Sequence, residues 1–165
     1  MATQLTADDA RQSLNAHVAA KGAELGEKYG HDLDSQQLHQ LLEDRAFVRY
    51  ACEIQFDASP LGPGECAHAV ARGKVPEDGF TIFVHPAFLT QRDRVPYWVL
   101  YQLVVVNYGD FASSDDAETF GAAALGLARD DYYNALCEMA DALSSAGIDP
   151  DSGSNSGACG CGSPT

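Results

Sequence analysis

The chain has 165 residues, 45% of them hydrophobic, and its 24 Asp and Glu against 10 Lys and Arg give a formal net charge of −14. This length fits one globular domain, and the hydrophobic content argues against global disorder. Nucleic acid and anionic membranes are disfavoured as partners, because their phosphates repel so acidic a surface. The same lysine-poor, acidic composition is typical of proteins in a high-salt cytoplasm, although acidic proteins also occur in ordinary cells.

The N-terminal segment is predicted to form two helices. Thr6 with Asp9 three residues later makes a capping box, after which apolar residues recur every three to four positions until Gly30 ends the helix. A shorter amphipathic helix follows from about Ser35. No basic and apolar leader precedes the first helix, so the sequence predicts a cytoplasmic protein. The histidines of this segment lack the spacing of a helical metal site and are interpreted as solvated or capping residues: His17, His31 and His39.

Three strands are predicted next. From residue 47 to residue 57, apolar and polar residues alternate as they do in a half-buried strand. A weaker alternation follows at residues 66–71, after a turn rich in Pro and Gly. The third strand, at residues 80–85, presents Phe80, Ile82 and Val84 on one side. Together the three strands predict a small antiparallel meander, whose order across the sheet the sequence does not specify.

The longest apolar run, at residues 97–106, is predicted to form a buried helix. Its three consecutive valines favour a strand by propensity alone. However, Pro96 and Gly109 enclose about a dozen residues, which is long for a strand and typical of a helix. The run is also too short to cross a bilayer, which takes roughly 20 residues. We therefore expect a helix at 96–108 and an α+β fold in which a three-stranded antiparallel sheet packs on helices.

Two further helices are predicted in the last third of the chain. Asp115 with Glu118 is interpreted as a capping box, and the pair at 130–131 begins the last helix. The predicted inward residues of that helix recur at helical spacing: Tyr133, Leu136, Met139, Ala140 and Leu143. The doubled aspartates at 115–116 and 130–131 have the composition of metal-binding or acid–base pairs. Each pair stands where a helix begins and complements the helix dipole, so we interpret both as capping residues.

The C-terminal segment differs in composition from the rest. Residues 149–165 are rich in Asp, Ser and Gly, which predicts a flexible, disordered tail behind a single domain at 1–148. Two of the five cysteines lie there, in Cys159-Gly160-Cys161. Thiols one residue apart can bind Zn, Cu or an iron–sulfur cluster, or cycle between thiol and disulfide. Because a closed site takes about four ligands, the others would come from a second molecule or from Cys66, His68 and His85.

The tail carries the first of two resemblances to known families. The string Cys-Gly-Cys-Gly-Ser at 159–163 resembles the end of the A-type iron–sulfur carrier proteins. Over equally few residues it is similar to the Cys-Gly cores of ribosomally made peptides that radical enzymes modify. The first resemblance implies a metal or cluster ligand at Cys159 and Cys161, and the second implies a tail that a modifying enzyme alters.

The second resemblance lies in the order of elements over residues 47–143, which looks like that of small zincin-type metallopeptidases of the SprT-like group. In those proteins the buried helix carries His-Glu-x-x-His, in which two histidines bind zinc and the glutamate is the base. Carried across, the motif falls on residues 101–105. Tyr101 and Val105 then replace the histidines and Gln102 replaces the glutamate. The resemblance implies a scaffold without zinc-hydrolase chemistry.

The sequence therefore predicts a non-enzymatic cytoplasmic protein that handles metal or thiols through Cys159 and Cys161. Three alternatives stay open. The first is a catalytically inactive zincin-like domain that binds a protein or peptide beside the strand at 80–85. The second is a substrate whose Cys-Gly tail is modified by an enzyme. The third is a protein whose tail thiols have no specific role.

Overall fold

The computed structural model describes residues 6–146, which form five helices and three strands. The helices are α1 (Ala7–Tyr29), α2 (Ser35–Glu43), α3 (Val95–Tyr108), α4 (Ser114–Leu125) and α5 (Arg129–Ala146), and the strands are β1 (Cys52–Phe56), β2 (Ala67–Ala71) and β3 (Phe80–Val84). The predicted α+β class and the predicted helix at 96–108 are confirmed. The predicted tail at 149–165 lies outside the described residues. Within the described range, no helix combines the length and the apolarity that crossing a membrane requires.

The sheet is mixed, with the strand order β1-β3-β2. β2 and β3 are antiparallel, with Ala69 opposite Ile82, whereas β1 and β3 are parallel, with Ile54 opposite Ile82. The predicted antiparallel meander is therefore wrong for the pairing of β1 with β3. β3 takes the central place because Ile82 and Val84 are fully buried, while β1 and β2 alternate between covered and exposed residues and suit the edges.

β1 is shorter than the alternation predicted, because it begins at Cys52 and not at residue 47. Phe47 and Val48 are buried although they precede the strand. A side chain of α3 holds their backbone: Asn107 Nδ2 donates to the carbonyl oxygen of Phe47 at 2.7 Å, and Asn107 Oδ1 accepts from the amide of Arg49 at 2.8 Å. Residues 44–49, here called the 44–49 loop, are thus fixed against α3.

α3 lies at the centre of the core, between α4 and the strands β2 and β3. Its fully buried residues include Val99, Leu100 and Leu103. Gln102 is also buried, and its amide bonds to the backbone of β2: Nε2 donates to Ala67 O at 3.2 Å, and Oε1 accepts from Ala69 N at 3.1 Å. These bonds pair backbone groups on the edge of β2. Gln102, to which the predicted zincin resemblance assigns the place of the base, therefore has a structural role in the sheet.

α1 and α4 cross at a close distance. A Cβ placed on Gly22 of α1 would lie 2.6 Å from the carbonyl oxygen of Phe120 and 2.8 Å from the Cβ of Ala123. Both distances are shorter than ordinary van der Waals contact, so only a glycine allows this approach. The crossing brings the middle of α1 next to Phe120, which becomes important for the candidate site.

α4 begins at a capping box formed by Ser113 and Asp116. The predicted box of Asp115 with Glu118 is therefore wrong by two positions, because Ser113 caps the helix earlier. Glu118 is buried and accepts a hydrogen bond from Arg129 Nε at 3.2 Å, and its burial raises its pKa. Both predicted aspartate pairs lie in the first turns of their helices, where carboxylates complement the helix dipole, and Asp116 takes part in the capping box.

α5 buries Tyr132, whereas the predicted Tyr133 is 37% exposed. The hydroxyl of Tyr132 donates to the carbonyl oxygen of Tyr97 at 2.6 Å, and the two rings stack with centroids 5.8 Å apart. Burial raises the pKa of Tyr132 well above its ordinary value. Neighbouring residues of a helix point in different directions, so only one of the two tyrosines faces the core. The prediction of Tyr133 as the inward residue is wrong, because Tyr132 is the buried one. The other inward residues Leu136, Met139 and Ala140 are buried as predicted.

Candidate functional site

The residues predicted to assist Cys159 and Cys161 lie near the start of β2 and the end of β3. Cys66 is buried, and its carbonyl oxygen accepts a hydrogen bond from the amide of His85 at 2.8 Å. The His85 ring accepts at Nδ1 from the backbone of the next turn. His68 is exposed and lies 3.4 Å from a glutamate carboxylate. Within residues 6–146, no three His, Cys, Asp or Glu are placed together to hold a metal.

Cys159 and Cys161 themselves lie outside the described residues. The positions of the zincin motif lie inside them, on α3. Gln102 is bonded to β2, and Val105 is 41% exposed and offers no ligand atom. Tyr101 is half buried. These three side chains present no zinc ligand set, and the inactive zincin-like scaffold stays a prediction.

Two surface clefts differ in charge. The larger has a volume of about 630 Å³ and lies between the α1–α2 connection, the start of α3 and α5. Both arginines and carboxylates line this cleft, so its lining does not favour a ligand of either charge. The smaller, here called the cationic pocket, has a volume of about 270 Å³ and lies between α1, the 44–49 loop, the C-terminal half of α3 and Phe120 of α4. Among the described residues, no Asp or Glu lines the cationic pocket.

The cationic pocket concentrates positive charge in an acidic protein. Lys21, Arg45 and Arg49 line it together with His17, and they include three of the 10 Lys and Arg of the whole chain. Arg45 and Arg49 are exposed and form no ion pair with a carboxylate of the described range. Lys21 forms a surface ion pair with Glu24 at 3.3 Å, a type of contact that contributes little, and its ammonium lies 5.7 Å from the centre of the Phe47 ring. The pocket therefore groups three cations that no carboxylate of its described lining offsets.

The other lining residues of the pocket are largely aromatic or apolar. Phe47, Val104 and Phe120 are buried core residues whose edges reach the cleft. Tyr108 is half buried, and the His17 ring meets it edge-on with centroids 6.0 Å apart. Burial raises the pKa of Tyr108 although Arg49 opposes the shift. The Tyr108 hydroxyl therefore stays neutral at physiological pH.

Asp44 fixes the start of the 44–49 loop, as Asn107 fixes its end. The carboxylate accepts from the amide of Ala46 at 3.0 Å and from the hydroxyl of Tyr29 at 2.8 Å, and it pairs with Lys28. The hydrogen bond from Lys28 contributes most to lowering the pKa of Asp44 to about 2, against burial, which raises it. The loop that carries the pocket arginines is thus anchored at both ends before any ligand binds.

Asp44→Asn is expected to lower the free energy of unfolding at pH 7 by about 1 kcal/mol, a value that allows for solvent screening. The folded pKa of about 2 lies below the ordinary value of 3.8, so the ionised carboxylate stabilises the fold above about pH 4. That stabilisation is lost as the pH falls from about 4 to 2, and the variant should lack this loss. Urea unfolding at pH 7 and at pH 3 measures both effects. Glu43→Gln, a neighbouring exposed carboxylate, is the control; an Asp44→Asn variant with wild-type acid sensitivity would contradict the role assigned to Asp44.

Sequence periodicity concealed this pocket. The alternation predicted a strand from residue 47, which placed Arg49 among its polar positions and gave Arg45 no role. The usable signal was charge density, because two cations flank a phenylalanine in an otherwise acidic chain. His17 and Lys21 are four residues apart and share a face of α1, but only the tertiary fold brings that face to the loop.

Comparisons of the chain with protein-family models, with curated proteins and with solved structures find no match in any of the three. Function is therefore inferred from the chemistry of the chain itself.

Proposed function

We propose that the protein binds a small anion in the cationic pocket. The observation that carries the proposal is the grouping of Lys21, Arg45 and Arg49 around a cleft that no described carboxylate lines, in a chain of net charge −14. Arg72 pairs with Glu53 at 3.2 Å, and Arg129 pairs with Glu118 at 3.2 Å. Arg92 and Arg94 form no ion pair within the described range, but Asp and Glu side chains line their cleft. The pocket arginines face an open cleft instead. An anion there would accept charge-assisted hydrogen bonds from planar guanidinium groups, which suit carboxylates and phosphates.

The size and lining of the pocket favour binding over catalysis. Its volume of about 270 Å³ is below the roughly 300–1,000 Å³ of sites for drug-sized ligands, so the ligand is small. Among the described residues that line it there is no Ser, Cys, Asp or Glu to act as a nucleophile or a carboxylate base. The His17 ring packs edge-on against Tyr108 and pairs with no carboxylate of the described range that would orient it as a base. We therefore assign a carrier or sensor role to this site.

Calorimetric titration with acetate, benzoate and inorganic phosphate tests the proposal. We expect at least one of these probes to bind with a Kd of about 1 mM or tighter, which corresponds to about −4 kcal/mol. Arg45→Gln should weaken that binding by about tenfold, because a hydrogen bond to a charged group contributes about 1.5–3 kcal/mol. Arg11→Gln is the matched control, since it removes the same charge from an exposed position of α1 outside the pocket. If no probe binds, or if Arg45→Gln binds as tightly as the wild type and the Arg11→Gln control do, the proposal fails.

The thiol pair of the tail supports a second proposal, which rests on the sequence. Cys159 and Cys161 would bind a soft metal or a cluster, or form a redox pair, with glycines on either side that leave room for an ion. Metal content and intact mass of the natively purified protein test metal binding and enzymatic modification of the tail together. A cytoplasmic location belongs to this proposal, and it is supported by the thiols of Cys52 and Cys137, which are not in disulfides.

A further inference from the structure

The lining of the cationic pocket combines two kinds of surface. Five of its ten lining residues are positively charged or polar, and five are apolar or aromatic. Asn107 is one of the polar residues, but both ends of its amide are already bonded to the 44–49 loop, so it supports the pocket and leaves ligand binding to the cations. A compact inorganic anion would use the cations alone and would leave the aromatic surface in water. An anion that carries an apolar ring would cover both.

The net charge of the protein acts on the choice of ligand as well. The charge of −14 repels any approaching anion in proportion to the charge that the anion carries. The pocket opposes this repulsion with Arg45, with Arg49 and with Lys21, which Glu24 partly neutralises. Arg49 Nη1 already donates to the carbonyl oxygen of Asn107 at 3.4 Å, so its other nitrogens face the ligand. A phosphate group carries about 1.5–2 negative charges at pH 7, whereas a carboxylate carries one. A singly charged anion therefore meets less repulsion on its approach, and the two oxygens of a carboxylate match the guanidinium fork.

From these two observations we infer that the pocket binds a carboxylate carried on a flat apolar ring, an inference that rests on the proposed function. Arg45 and Arg49 bind the carboxylate, since a guanidinium fork matches its two oxygens. The ring lies against the half-buried Tyr108, which provides most of the aromatic contact, and reaches the edge of Phe120, which is only 3% exposed. The neutral hydroxyl of Tyr108 adds no charge to repel the ligand.

Four probes separate the contributions of the ring and of the charge. Benzoate has both the ring and one negative charge, acetate has the charge without the ring, benzamide has the ring without the charge, and inorganic phosphate has more charge and no ring. We expect benzoate to bind the wild-type chain at least tenfold more tightly than each of the other three. Arg45→Gln should remove most of the advantage of benzoate over benzamide, and Tyr108→Leu should reduce its advantage over acetate.

The outcomes distinguish this inference from the proposal on which it rests. If acetate or phosphate binds as tightly as benzoate and Arg45→Gln weakens that binding, the inference is overturned and anion binding stands. If benzamide binds as tightly as benzoate, charge is irrelevant and both are overturned. If no probe binds, both are overturned as well. The order of affinities is measured on the wild-type chain, so the test holds even if Tyr108→Leu does not fold.

Discussion

Replacing Gly22 by alanine is expected to lower the free energy of unfolding by about 2 kcal/mol, although alanine is the better helix former. The new Cβ would lie 2.6 Å from the carbonyl oxygen of Phe120 and 3.2 Å from the amide nitrogen of Ala124. Backbone atoms cannot rotate out of the way as a flexible side chain can, so α1 and α4 must move apart. A gain of about 1 kcal/mol in helix propensity offsets only part of this cost. Chemical denaturation, monitored by circular dichroism, measures the net change.

The adjacent residue gives the control for Gly22→Ala. Ala23 is exposed on the same helix, and Ala23→Gly should cost about 1 kcal/mol through propensity alone. If Gly22→Ala were as stable as the wild type, the close crossing of α1 and α4 would be wrong. The crossing also bears on the site, because α1 carries Lys21 and α4 carries Phe120. We therefore expect Gly22→Ala to weaken probe binding in addition to stability.

The triple variant Lys21→Gln, Arg45→Gln, Arg49→Gln should lose about 100-fold in affinity for whichever probe binds the wild type most tightly. Each charge-assisted hydrogen bond contributes about 1.5–3 kcal/mol, but neighbouring contributions are not additive, so the loss is smaller than the sum. Calorimetry measures the affinity. The fold should survive, since none of the three side chains is buried in the core.

A second triple variant, Arg11→Gln, Lys74→Gln, Arg94→Gln, is matched in charge and avoids the cationic pocket. It changes the net charge of the protein by the same amount. Its affinity should stay within about twofold of the wild type, because at 0.1 M salt the effect of an exposed charge is largely screened beyond about 10 Å. If this variant lost as much affinity as the first, the overall charge and not the pocket would control binding.

Much of the helical fold was predictable because its signals are local. The capping box of Thr6 with Asp9 and the enclosure of α3 between Pro96 and Gly109 each involve residues close in sequence. The pairing of β1 with β3 was not predictable, because parallel pairing depends on how the intervening segments pack and not on alternation within a strand. The choice between Tyr132 and Tyr133 also depended on a distant group, the carbonyl oxygen of Tyr97.

The candidate site was harder to predict than the fold. Its charges come from α1 and from the 44–49 loop, and its apolar surface comes from α3 and α4, so the pocket exists only once these segments pack. The cysteines of the tail led to the first functional hypothesis because Cys159 and Cys161 are one residue apart and both carry metal-binding thiols. Arg45 and Arg49 have no distinguishing feature in the sequence. The fold places them at a cleft that is lined by aromatic groups and by no described carboxylate.

The most direct test of anion binding is a titration of ¹⁵N-labelled protein with benzoate and, separately, with inorganic phosphate. For at least one of the two probes we expect saturable shifts that are largest for the amides of residues 45–49 and 104–108, and that Arg45→Gln reduces. The absence of saturable shifts with both probes would contradict the account. So would shifts centred on Arg92 and Arg94 in the larger cleft.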